Sequence, residues 1–179
     1  AAIREWTIAR NRPYFGVCLG LQLLAEAMGG EVGKAPAQEV GVMDVALTGL
    51  GRRHRMSKGL KRSMKVMQWP HAEVVRAPAG AEVLASSPVT PIQIMAVGSH
   101  ILATQFHGEL TPELIGRWAA IPQYISWLEE VHGTGAYDNV VADFLPEAAA
   151  LRTMSRLLLQ AVLPAAVAVP RRASIRAAA

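Results

Sequence analysis

The only cysteine of the 179-residue chain, Cys18, stands between Gly16 and Gly20 in the run GVCLG. An apolar stretch, YFGV, leads into it, and a helical pattern, LGLQLLAEAM, leads out. A residue at so sharp a strand-to-helix turn is held in an unusual backbone conformation, so the residues two places away on either side have to be small. The turn projects the side chain beyond the C-terminal edge of a sheet, at a helix N-terminus whose dipole favours a thiolate. The main-chain N–H of Leu19 then points where an oxyanion forms during attack on a carbonyl. Such a thiol needs a base. The run QFHGELTPE offers His107, with Glu109 two residues on, and residues i and i+2 of an extended chain face the same way. The histidine manages the thiol's proton, while the carboxylate fixes the tautomer and balances the imidazolium. Taken singly, each motif has a plain structural account: a small buried cysteine, or a histidine at a strand end. Together they point to nucleophilic attack by sulfur on an acyl or amide carbon.

Both groups must be positioned by strands. YFGVC reads as a short apolar strand and LGLQLLAEAM as a helix stopped by Gly29 and Gly30, the first half of a strand–helix unit. The preceding AAIREWTIAR reads as the end of a helix with Ile3, Trp6 and Ile8 on its apolar side. EVGVMDVALT, MKVMQW, AEVLASSP, PIQIMAVG and HILATQFHGE read as further strands, the last delivering His107. TPELIGRWAAI starts a helix with a threonine cap and a proline in the first turn. Pro122 to Val131 is a second helix, and Pro146 to Val162 a third with Leu151, Met154, Leu158 and Val162 on one face. Strands alternating with helices predict a layered α/β domain over residues 1–164, followed by a loose tail over 165–179.

Composition narrows the function. Half the residues are hydrophobic (51%) and 18% are charged, the balance of a globular domain. The formal net charge of +4 is too mild to imply nucleic acid by itself. The run GRRHRMSKGLKRSMK holds seven Lys or Arg residues without interleaved aromatics, the pattern of a solvated connection. One cysteine leaves no internal disulfide and suits a reducing cytoplasm. His54, His71, His100 and His132 have no metal-ligand spacing with one another or with Cys18, and Gly33-Lys34 lacks the rest of a phosphate-binding loop. No cofactor or metal is expected. No signal peptide or membrane span is read, since the apolar stretch Leu157 to Val169 is too short.

GVCLGLQLLAEAMGG with QFHGELTPE resembles the class I glutamine amidotransferases, most of all the stand-alone bacterial proteins related to the amidotransferase domain of GMP synthase. The resemblance runs from about Arg12 to Glu113, and more loosely through Trp118 to the last helix. It implies a flavodoxin-like layered domain with a mostly parallel sheet. It also implies a glutaminase reaction through Cys18, His107 and Glu109, with the Leu19 N–H as one oxyanion donor and Gly20 and Gln22 at the substrate. Trp69 in MQWPHAEV matches the family's glutamine-tryptophan pair, while His71 matches the family histidine only with a shift of one, because Pro70 intervenes. The implied partners are glutamine as substrate and a synthetase or other ammonia acceptor. Members carry further strands ahead of the thiol strand, with a glycine pair on a loop as second oxyanion donor. Here that region is expected to be missing, at a cost of roughly a hundredfold or more in rate per lost donor. An exposed sheet edge would favour self-association. Gly108 stands where the family favours proline, which predicts a less rigid turn. Two other readings stay open: a γ-glutamyl peptide hydrolase with the same thiol chemistry, and a non-catalytic remnant or interaction subunit.

Overall fold

The structure, a computed structural model, describes residues 2–34 and 39–163; the predicted loose tail lies outside them. The chain opens with a turn of helix, α1 (Ala2–Arg4), that widens into a π-helical turn over Glu5–Ala9, where Arg10 N–H reaches back to the Glu5 carbonyl. The wider winding shifts the inward face. Thr7 is buried, its hydroxyl donating to the Ile3 carbonyl at 2.8 Å, while Trp6 and Ile8, expected to face inward, are exposed.

Then come β1 (Tyr14–Val17), α2 (Leu19–Ala27), β2 (Glu31–Lys34), β3 (Gly41–Leu47), β4 (Ser63–Gln68) and β5 (Ala72–Arg76). They are followed by β6 (Ala81–Ser86), β7 (Ile94–Val97), β8 (Ile101–Thr104), α3 (Pro112–Ala119), α4 (Pro122–His132) and α5 (Ala136–Val162). Six strands form one sheet in the order β1-β8-β7-β6-β3-β4. Both faces are covered. Along β8, Ile101 and Ala103 pack with Leu21 and Leu24 of α2, while Leu102 packs with Phe144, Leu151 and Leu158 of α5. That two-residue alternation, apolar on both sides, produces the layered α/β fold.

The sheet is not mostly parallel. Among the described residues only β1 and β8 pair in parallel; β8–β7, β7–β6, β6–β3 and β3–β4 are antiparallel. The connections decide this. Residues 98–100 alone join β7 to β8, and 87–93 join β6 to β7, too short for the crossover that parallel neighbours require. Nothing in the sequence pattern announces the second sheet, of β2 and β5. Its strands are short, and Gly33 interrupts one of them; Val32 and Val74 cover the α2 side of the core.

The last helix also departs from expectation. Pro146 is not its start but lies inside α5, which begins ten residues earlier at Ala136. Proline removes the bond to the Ala142 carbonyl, normally a helix-ending cost. Here Val140 and Phe144 upstream and Leu151, Met154, Leu158 and Val162 downstream are buried on the same core, which holds the two halves as one helix.

Candidate active site

The parallel pairing of β1 with β8 builds the site. Its register ends with Val17 opposite Thr104, so the next residue of each strand, Cys18 and Gln105, emerges at the same C-terminal edge. Cys18 N–H donates to the Thr104 carbonyl at 2.7 Å, tying the thiol turn to the strand that leads to His107. Among the described residues only Asn11 and Cys18 have positive φ without being glycine. Asparagine enters the left-handed region readily, but Cys18 at φ 48°, ψ −102° lies outside it, a conformation that costs on the order of 1–3 kcal/mol and is held by its surroundings.

The two flanking glycines play different parts. A Cβ on Gly16 would stand 2.8 Å from the Gly20 carbonyl carbon and 2.7 Å from the Tyr14 ring. On Gly20 a Cβ would meet only the Tyr14 hydroxyl, at 3.4 Å. Steric need therefore rests on Gly16, where the first turn of α2 comes back over β1. The Gly20 carbonyl is occupied as well, accepting from the Tyr14 hydroxyl at 2.8 Å.

Past Gln105 the chain turns. Thr104 Oγ1 donates to the Phe106 carbonyl at 3.0 Å, and His107 N–H donates to the Met67 carbonyl at 2.8 Å. His107 is thus pinned between the ends of β8 and β4. Its Nδ1 is 2.7 Å from Glu109 Oε1, and the Cys18 side chain is also close enough to influence the ring. Burial pushes the His107 imidazole down, but the neighbouring Cys18 and Glu109 side chains outweigh it and raise it to about 9. The shift favours the imidazolium at neutral pH, held by Glu109.

Gly108 is not among the glycines with positive φ, so backbone freedom is not what it supplies. A Cβ there would run into Ser155 Oγ on α5, while Ser155 Cβ would stay at an ordinary 3.4 Å. Gly108 lets α5 close against the histidine turn. Gly108→Ala is expected to cost about 1 kcal/mol by forcing Ser155 from its rotamer. In a Ser155→Ala background it should cost nearly nothing, as thermal unfolding of the four combinations would show.

The remaining candidates sit around this core. Gln22, half-buried on α2, donates Nε2 to the Ala72 carbonyl of β5 at 2.7 Å. As first residue of α2, Leu19 has a main-chain N–H that no carbonyl of the helix can take, and its side chain is exposed. Trp69 is buried in an aromatic cluster with Trp118, Tyr124 and Trp127. Trp118 stands edge-on to the His107 ring at 5.0 Å and to Trp69 at 5.7 Å. Trp69 is therefore one ring removed from His107. His71 is farther out, exposed and stacked on Trp127 at 4.0 Å. Sequence reasoning passed over Gln105 and the direct contact of Trp118. The signal for Gln105 was its place two residues before His107; nothing local marked Trp118. A cavity of about 490 Å³ between β4 and α5, lined by Met64, Met154 and Leu157 among others, shares no residue with the Cys18 cluster. Among the described residues no group of three or more His, Cys, Asp or Glu could hold a metal ion. Nor is any described helix long and apolar enough to cross a membrane.

Fold and site together define an α/β domain with a strained cysteine at a strand–helix junction, facing a histidine–carboxylate pair. Residues 1–118 match the family model "Glutamine amidotransferase class-I", and the chain belongs to that family. It is 40% identical over 107 residues to a glutamine-hydrolyzing GMP synthase subunit of Sulfolobus acidocaldarius, an alignment covering 59% of this chain and 55% of that protein. It is 35% identical over 119 residues to anthranilate synthase component 2 of Helicobacter pylori, covering 66% and 59%. The chain thus spans little more than half the length of these relatives. In fold it is similar to a glutamine amidotransferase from Thermotoga maritima, with a TM-score of 0.78 at 23% identity over 91% of this chain and 68% of that one.

Proposed function

We propose that this chain carries the thiol site of a glutamine amidohydrolase that releases ammonia for a partner. The observation that supports it most is geometric: the strained Cys18 emerges beside the end of β8, the strand that leads to His107, whose Nδ1 is 2.7 Å from Glu109 Oε1. In this reading the Cys18 thiolate attacks the side-chain amide carbon of glutamine, forming the C–S bond and moving the carbonyl electrons onto oxygen. The Leu19 N–H stabilises that oxygen. The C–N bond then breaks while the His107 imidazolium protonates the departing nitrogen, so ammonia leaves and a glutamyl thioester remains. Neutral His107 next takes a proton from water as it adds to the thioester. Collapse breaks the C–S bond, releases glutamate and restores the thiolate–imidazolium pair. Glu109 holds the ring and its charge throughout. Gln22 and Gly20 contribute to the substrate pocket, with Trp69 and His71 on the aromatic side.

Two relatives are named as one subunit or component of a synthase. That supports an acceptor on a separate synthetase chain, and the two names point to different acceptors. A free thiol agrees with work in the reducing cytoplasm.

A diazoketone analogue of glutamine tests the reading, because a single cysteine gives one unambiguous adduct by intact mass. One rapid addition is expected, blocked by excess glutamine and at least about a hundredfold slower in His107→Ala. Slow labelling that glutamine leaves unchanged would refute a working glutamine site.

A further inference from the structure

We infer that the Gln105 side-chain amide is a catalytic hydrogen-bond donor to the Cys18 thiolate; this deepens the thiol reading above and rests on it. The register that ends with Val17 opposite Thr104 sets Gln105 beside Cys18, and Gln105 Nε2 lies 3.5 Å from Cys18 Sγ. Gln105 is wholly buried, and among the described residues the sulfur is the only partner of its side chain; Oε1 has none. A methionine or leucine would fill such a place without burying an amide whose oxygen is unpaired. Gln68 and Gln93 also leave a buried amide oxygen unpaired, so what sets Gln105 apart is that its one side-chain partner is the nucleophile. The nitrogen of the amide, not its oxygen, faces the sulfur, which is the orientation that donation to a thiolate requires.

The backbone that carries the amide is tied down. Gln105 N–H donates to the Gln93 carbonyl at 2.9 Å. Gln93 Nε2 donates to Glu39 Oε2 at 3.1 Å, and the same buried oxygen accepts from Gln68 Nε2 at 3.0 Å and Ser87 Oγ at 2.7 Å. Gln105 supplies a neutral donor that favours the thiolate without competing with His107 for charge.

The test is the rate of Cys18 alkylation by iodoacetamide from pH 5.5 to 9.5, followed by intact mass in wild type and Gln105→Met. Iodoacetamide needs no glutamine pocket, so the result is separable from the glutaminase reading. At pH 7 the variant should react about tenfold more slowly, the scale of one charge-assisted hydrogen bond, and the two profiles should converge at high pH. Unfolding of Gln105→Met should come no earlier than wild type, since an unpaired amide oxygen has been removed. Equal alkylation across the whole range would overturn the inference. A second readout needs no change at Gln105: Cys18→Ala should move the Gln105 side-chain NH₂ resonance, and an unmoved resonance would equally overturn it. Glutamine-insensitive diazoketone labelling alongside a tenfold alkylation defect would remove the glutaminase reading and leave the Gln105–Cys18 bond standing.

Discussion

Gly16→Ala should destabilise the protein by about 3 kcal/mol or more and abolish fast labelling of Cys18, while Gly20→Ala should change stability by less than about 1 kcal/mol. The two glycines look equivalent around the thiol, but their surroundings differ. The Cβ of an alanine at 16 would lie 2.8 Å from the Gly20 carbonyl carbon and 2.9 Å from its oxygen. Those atoms belong to the first turn of α2 and cannot rotate away. The helix would have to move off β1, and Cys18 would lose the positive φ that aims its sulfur. For a chain of this size the loss corresponds to a fall in melting temperature of roughly 6–12 °C. At Gly20 the nearest atom is a hydroxyl at 3.4 Å, and alanine suits a helix better than glycine. Thermal unfolding and alkylation of both variants make the check. Equal destabilisation would mean that the close approach of α2 to β1 is not what the sequence GVCLG protects.

The second large effect belongs to His107. Its imidazole should titrate near pH 9 by NMR, and in Cys18→Ala the midpoint should fall by about one unit or more toward 6.5, because the hydrogen bond and charge of the sulfur are lost while burial remains. The consequence for stability has a definite sign. A histidine raised in the folded state contributes stabilisation that is fully present below its unfolded value of about 6.5 and is lost as pH rises through about 9. The stability difference between wild type and His107→Gln should therefore be largest near pH 6 and shrink toward pH 10, measured by denaturant unfolding at each pH. A His107 that titrates near 6.5 and a difference flat with pH would show that the imidazolium is not held between Cys18 and Glu109.

Gly108 and Pro146 show why single-residue rules mislead here. Glycine in place of proline reads as a looser turn, yet its backbone is ordinary and its value lies in what its missing side chain admits, Ser155 of α5. Proline reads as a helix start, yet Pro146 is carried inside α5 because apolar residues on both sides of it bury on one core. In each case the deciding partner is remote in the chain.

The local devices are written in the order of the residues: a strand from Tyr14 to Val17, a helix from Leu19, and a cysteine at the hinge between them. So is the face of Leu151, Met154, Leu158 and Val162 that anchors the last helix. These are legible because apolar period, glycine and capping residues act within a few positions of one another. Long-range packing was needed to make the sheet mainly antiparallel, to give β2 and β5 a sheet of their own, and to set Trp118 rather than His71 against His107. It also brings Gln105 to the sulfur, a contact between residues 87 positions apart. Period tells a strand which faces it buries, but not which strand lies beside it or in what register. Here the parallel register of β1 on β8 turns separate runs of ordinary residues into one site.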